Sequence, residues 1–255
     1  MIKTLKKYRY LLARLVQRDF IQKYKKTSLG IIWSVLSPLC EFAVLMFIFK
    51  NMFGRDMPHF TVYMLIGVLS YSYYSNATTS GMQSFLFNAG ILHKINLPTW
   101  LFPLSKNISA AINFLITCII MVVFMFIDQL APNLNMVWLL YPFVLFFFFN
   151  LGLSLILASL YVFFKDVQYL YHIFNKLLYF CCAIFWTPDR LSEESQKLLM
   201  INPVYGFIDY GRSVILYGEV PSMEAHLILL GYTVLVMLLG VVIYRCNRNK
   251  FIFYL

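Results

Sequence analysis

The side chains able to do chemistry in this chain of 255 residues are few and scattered. The stretch Gly206-Phe-Ile-Asp-Tyr-Gly211-Arg212-Ser213 nearly reproduces a phosphate-binding P-loop, with Arg in place of Lys. A P-loop works only where a strand precedes the loop and a helix follows it, so that backbone N–H groups converge on phosphate. Here the surrounding pattern is helical, so the match is expected to be chance and the chain to carry no nucleotide site. His59, His93, His172 and His226 fall in separate segments without HExxH spacing, and Cys40, Cys118, Cys181, Cys182 and Cys246 form no CxxC pair. Neither a metal centre nor a disulfide framework is expected. Two groups are more informative: Glu41 and Lys176 each lie near the middle of an apolar run. An ionisable side chain at bilayer depth is costly and usually faces a partner or a water-filled cavity. Similar depth makes a Glu41–Lys176 pair, or a shared watery cavity, the expectation.

The elements that must hold these residues are transmembrane helices. The chain is 61% hydrophobic and 13% charged, against about 45–50% and about 25% in globular proteins. A soluble fold of this size would lack the polar surface to cover itself. Six apolar segments are long enough for a hydrocarbon core of about 30 Å, at roughly 31–53, 60–86, 105–127, 137–164, 167–187 and 225–245. Residues 188–223 hold two shorter apolar stretches broken by Asn202-Pro203, lengths that suit a re-entrant region. Ser192 is placed to cap the first of these and Pro203 to open the second. The fold class is therefore an all-α membrane protein with six spans. Ahead of them, residues 1–30 form a basic amphipathic helix, with Leu5, Tyr8, Leu12, Leu15, Val16, Phe20 and Tyr24 near one face, suited to the membrane interface.

The net charge of +10 does not point to nucleic acid, because nine of the 21 basic residues precede residue 30. That clustering marks a cytosolic flank facing anionic lipid. With the N-terminus inside, Lys and Arg divide fifteen to four between the cytosolic and outer sides. Both termini are then expected in the cytosol.

The fifth span carries a stripe at spacings of four and three: Gln168, His172, Asn175, Tyr179, Cys182 and Trp186. Tyr179 and Trp186, two turns apart, are expected to share a face. The second span has the run Tyr71-Ser-Tyr-Tyr-Ser-Asn-Ala-Thr-Thr-Ser-Gly81. Tyr74, His172, Asn175, Tyr179 and Trp186 are candidates to line a pathway, with helix packing as the other account of the same stripes. Ala77 and Gly81, four apart, suit close helix contact.

Several stretches resemble the type-2 ABC export permeases that move polysaccharides across bacterial inner membranes. They are the basic run from Arg18 to Gly30 with Trp33 and Pro38 after it, Asn96-Leu-Pro98, Lys165-Asp166 where the family usually has Arg-Asp, Asn202-Pro203, and Arg212 with Gly218 and Pro221. The matches run through most of the chain in the family's order. The resemblance implies a homodimer in the bacterial cytoplasmic membrane, a lipid-linked glycan such as O-antigen, teichoic acid or capsule as cargo, and two copies of a cytosolic ATPase. ATP and Mg would be bound by that ATPase and no cofactor by this chain. It also places a coupling helix near residues 88–98, for which Ile91, Leu92, Ile95 and Leu97 are apolar anchors for a helix-in-groove contact. A type-2 permease for a drug or a lipid would show the same topology. A membrane-bound transferase is the remaining alternative, and it would need clustered acids or histidines that are absent.

Overall fold

In lipid every backbone N–H and C=O must be satisfied within the protein, and apolar runs meet that demand by coiling. The computed structural model describes residues 2–24, 30–53, 58–92 and 97–254, and among these the regular structure is helical throughout. In chain order the helices are α1 (Ile2–Tyr24), α2 (Trp33–Phe53), α3 (Phe60–Phe87), α4 (Ala89–Leu92), α5 (Leu101–Ile127), α6 (Leu140–Phe163), α7 (Val167–Phe180), α8 (Glu193–Met200), α9 (Pro203–Leu216), α10 (Met223–Asn247) and α11 (Phe251–Tyr254).

Among the described residues, three segments are long and apolar enough to cross a bilayer on length and composition alone: Leu101–Ile127, Leu134–Phe163 and Met223–Asn247. The first and third leave large apolar side chains outward, among them Ile119 and Phe126 on α5 and Leu235 and Val242 on α10. Faces of that kind fit lipid rather than water. α3 is the central helix, packed by α5, α6 and α9. Its Ser, Thr and Tyr residues are tolerated in part because half of them are turned into protein, Tyr73, Tyr74 and Thr78 among the buried ones.

Small residues set how closely the helices approach. Ser154 on α6 donates to the carbonyl of Ala77 at 3.3 Å, and a Cβ on Gly81 would collide with the Ser154 side chain. Ala77 and Gly81 therefore do what their spacing predicts. The tightest crossing is elsewhere, between α6 and α10. A Cβ on Gly152 would lie 2.7 Å from the Met237 Cα, and one on Gly240 would strike the Gly152 carbonyl.

A second cluster gathers both ends of the chain at one end of the bundle. It joins Leu15 of α1, Phe85 of α3, Leu92 of α4, Leu101 and Phe102 of α5, Ala158 and Val162 of α6, and Phe251 of α11. Leu15 of the expected apolar face is buried, and Tyr8 and Leu12 pack beside it. The α1 helix is fastened to α5 by charge as well: Asp19 accepts from Ser105 at 3.2 Å and pairs with Lys106 at 3.0 Å.

The expected helix over 167–187 is corrected by the structure. α7 stops at Phe180, and Ala183 takes a positive φ of 46°. Its 14 residues reach about 21 Å at the α-helical rise, short of a bilayer core. Residues after the break turn inward, with Cys182, Ala183 and Ile184 fully buried. The two short helices that follow begin as their sequence predicts. Ser192 caps α8 by accepting from the Ser195 N–H at 3.4 Å, and Pro203 opens α9 behind the N-cap Asn202.

Candidate functional site

The interruption of α7 frees backbone carbonyls inside an apolar environment, where each must find a donor. Three distant side chains supply them. The Tyr63 hydroxyl on α3 donates to the Ala183 carbonyl at 3.1 Å and the Trp186 carbonyl at 2.9 Å. Arg212 on α9, 1% exposed, donates from Nη2 to the Ala183 carbonyl at 2.9 Å and from Nε to the Tyr63 carbonyl at 3.4 Å. Its guanidinium lies 3.5 Å from the centroid of the Tyr63 ring, a cation–π contact strengthened by desolvation. Asn202 donates to the Cys181 carbonyl at 3.1 Å, while its own carbonyl oxygen caps α9 through the Val204 N–H at 3.0 Å. Gly67 makes room, since a Cβ there would meet Arg212 Nη2 at 3.0 Å. The segment resembling a P-loop is thus interior to a helix, and its arginine is a clamp rather than a phosphate ligand.

Around this turn α7 presents two different faces. One packs on α3. Tyr171, buried, donates to Thr78 Oγ1 at 2.6 Å, and the Tyr71 hydroxyl donates to the Asn175 carbonyl. The other is open: His172, Lys176, Leu177 and Phe180 are all exposed. His172, Lys176 and Tyr179 follow each other at i, i+4 and i+7, so they form one stripe. Tyr179 donates to Glu41 Oε1 on α2 at 3.3 Å, and its ring stands edge-on to Tyr71 at 4.9 Å.

The expected site residues are therefore divided. The structure brings half-buried Tyr179 and exposed His172 and Glu41 to one face formed by α2 and α7. Tyr74 is not part of that face. It is 1% exposed and stacked on Phe146 in the core. Asn175 is buried against α3. Trp186 lies beyond the end of α7, so it does not share a helical face with Tyr179, and its indole N–H donates to the Phe180 carbonyl at 3.3 Å. Among the described residues Glu41 makes no ion pair with Lys176. The tyrosine hydroxyl takes its place.

Of the expected docking residues, Leu92 faces inward, 7% exposed in the cluster shared with α1 and α11, and Ile91 packs against the same cluster. Leu97 is half-buried, and Ile95 lies outside the described residues. Hydropathy could not have shown that Leu92 points in. The Tyr63–Arg212 clamp was likewise missed, although a lone arginine in the apolar run 204–216 was a signal that it needed a partner.

A model of the family described as ABC-2 type transporter matches residues 10–216. The chain is 28% identical to an O-antigen export system permease protein, RfbA, of Klebsiella pneumoniae over 243 residues, 94% of this chain and 93% of that protein. It is 25% identical to the protein of the same name from Myxococcus xanthus, covering 98% and 97% of the two chains. Similarity to the polysialic acid transport protein KpsM of Escherichia coli is 22% over 91% of each chain.

Proposed function

This chain belongs to the ABC-2 type transporter family, and from that premise we propose that it is the permease of an ATP-driven exporter that carries a lipid-linked polysaccharide across the bacterial inner membrane. It is a transport subunit and not an enzyme. Relatives matching it over nearly their whole lengths are named for O-antigen export and polysialic acid transport, which supports a polysaccharide cargo. ATP and Mg are held by a separate cytosolic ATPase, two copies serving two copies of this chain.

The observation that carries the pathway is the stripe of exposed His172 and Lys176 and half-buried Tyr179, with exposed Glu41 beside it. Charged and hydrogen-bonding groups are not left facing lipid at that depth. A second copy facing the stripe would enclose it, giving a polar route with tyrosine rings able to pack on sugar faces. In this reading α2, α3, α5, α6 and α10 cross the membrane. α7 with its inward turn forms the remaining crossing, and α8 and α9 form a re-entrant pair at the outer face. Both termini, joined in one cluster, lie on the cytosolic side with the basic α1 on the interface. The segment 88–98 meets the ATPase, with Leu92 holding α4 to the bundle from inside.

Two measurements test this. Deleting the gene should leave a lipid-linked polymer stranded in the cytoplasm, and the purified chain should bring an ATPase with it. Absence of both would remove the export reading. The pathway is tested separately at Tyr179. Tyr179→Phe keeps the ring that would pack on sugar and removes only the hydroxyl bonded to the Glu41 carboxylate, so export should stay near normal. Tyr179→Ala removes the ring, and export should fall well over tenfold with protein level and dimer unchanged. A fall in protein level equal to the fall in export would mark Tyr179 as packing only.

A further inference from the structure

A cleft of about 600 Å³ opens between α1, α3 and α5, away from the stripe on α7. Its charged end is built from Arg18, Asp19 and Lys106. The Asp19 side chain, 3% exposed, accepts from Arg18 at 3.0 Å, Lys106 at 3.0 Å and Ser105 at 3.2 Å, so its oxygens are taken. The two cations are not used up in return. Arg18 has five N–H donors, and those directed to Asp19 and to Asn88 Oδ1, at 2.7 Å, both come from Nη2. Lys106 has three N–H donors, one of them directed to Asp19. Two cations against one carboxylate leave a net positive charge, with spare donors facing the cleft.

Above that end the walls are uncharged and mix polar groups with Leu69, Tyr73, Ala110 and Phe114. α3 contributes Ser72, Asn76 and Ser80, and α5 contributes Ser109, Asn113 and Thr117. Each set repeats every four residues, so each runs as a ladder along its own helix. From Lys106 to Thr117 the ladder climbs about 16 Å at the helical rise, on a helix whose outward face is apolar. Hydroxyl and amide ladders interleaved with apolar side chains do not suit a second charge. They match a chain of hydroxyls.

We infer that this cleft binds the head of an anionic lipid in which a phosphate is joined to a polyol, the phosphate on Arg18 and Lys106 and the hydroxyls on the α3 and α5 ladders. Spare N–H donors on two cations meet the oxygens of a phosphate in charge-assisted hydrogen bonds, and the lipid tail stays in the bilayer. The inference rests on the proposed orientation, with α5 spanning and Lys106 at the cytosolic surface. Two sources supply such a head: a bulk phosphatidylglycerol, or a polyprenyl phosphosugar of the kind that carries cargo.

The test uses the full-length chain purified without its ATPase and mixed with vesicles of phosphatidylcholine. These carry a minor fraction of either phosphatidylglycerol or a polyprenyl phosphosugar, and native mass spectrometry reads the retained lipid. Because neither ATP hydrolysis nor export enters the measurement, its failure is distinct from failure of the export reading. At least one of the two phosphate–polyol lipids should be retained over phosphatidylcholine, and which one identifies the source. Lys106→Gln should lower retention at least about tenfold, the scale of a lost charged hydrogen bond. Since Lys106 also holds Asp19, Asn76→Leu provides the second variant. Asn76 is exposed and its side-chain amide donates to Ser72 Oγ at 3.2 Å, so leucine fills the cleft without touching the charged cluster. A comparable loss in Asn76→Leu supports the site whatever Lys106→Gln does. Unchanged retention in Asn76→Leu, or no preference over phosphatidylcholine in the unmutated chain, overturns it.

Discussion

Replacing Gly152 by valine is expected to leave almost no correctly assembled protein, with a loss of more than tenfold in monodisperse material after detergent extraction. The reason is backbone against backbone. A Cβ at Gly152 would meet the Met237 Cα at 2.7 Å, the Met237 nitrogen at 2.8 Å and the Val236 carbonyl carbon at 2.9 Å. No side chain can swing aside to relieve such a contact, so α6 and α10 would have to separate along their shared face. Overpacking that rotamers can absorb already costs about 1–3 kcal/mol, against a total stability of about 5–15 kcal/mol for a domain. Close approach at small residues is also a main source of helix association in lipid, where no hydrophobic force pulls helices together. Gly231 is the internal control. It lies on the same α10, and a Cβ there would meet nothing within 4 Å, so Gly231→Ala should accumulate normally. Equal yields and equal melting of Gly152→Val and the parent would show that the crossing is looser than the geometry requires.

That crossing also shows which features could be read in advance. The all-helical class, the basic first helix, the caps at Ser192 and Pro203, and the small-residue contact at Ala77 and Gly81 all follow from local pattern. Each depends on residues a few positions apart, and helical periodicity reports such neighbours directly. Gly152 and Gly240 were invisible because a glycine in an apolar run carries no mark of its partner, and only their meeting gives them meaning. The end of α7 was hidden for the same reason. Ala183-Ile-Phe-Trp186 continues the apolar run of the helix before it, so hydropathy extends the span to residue 187. What stops it is a set of donors on α3, α9 and the α9 N-cap. The candidate site divided along the same line: His172 and Tyr179 were legible in the 4-and-3 spacing, whereas the exchange of buried Asn175 for exposed Lys176 between them, the inward turn of Trp186 and the burial of Tyr74 depend on neighbours far away in sequence.

Arg212→Met is expected to open the turn after α7 by roughly a hundredfold and to abolish export. Arginine here meets three needs at once. It satisfies the Ala183 carbonyl at 2.9 Å and the Ile184 carbonyl at 3.4 Å, and it stacks on the ring of Tyr63, whose own hydroxyl holds the Ala183 and Trp186 carbonyls. Methionine fills much of the volume and supplies no donor. The Ile184 carbonyl then loses its donor, while the Ala183 carbonyl keeps Tyr63 alone. A bare buried carbonyl costs about 1–3 kcal/mol, and lost charged hydrogen bonds about 1.5–3 kcal/mol. A net loss near 3 kcal/mol is roughly a hundredfold in an equilibrium constant. Arg212→Lys should not rescue it, because an ammonium cannot reach several carbonyls and stack on a ring together. Tyr63→Phe keeps the ring and the guanidinium, so it should open the turn only about fivefold, the scale of one neutral hydrogen bond. The readout is a thiol inside the turn. Cys182 is fully buried, with its sulfur 3.3 Å from Asn202 Nδ2, whereas the adjacent Cys181 is exposed. In a Cys181→Ser background, alkylation at position 182, mapped by mass spectrometry, should be slow in the parent, modestly faster with Tyr63→Phe and far faster with Arg212→Met. A protected Cys182 and normal export in Arg212→Met would mean that the turn is held by apolar packing and Asn202, with the buried guanidinium contributing nothing to it.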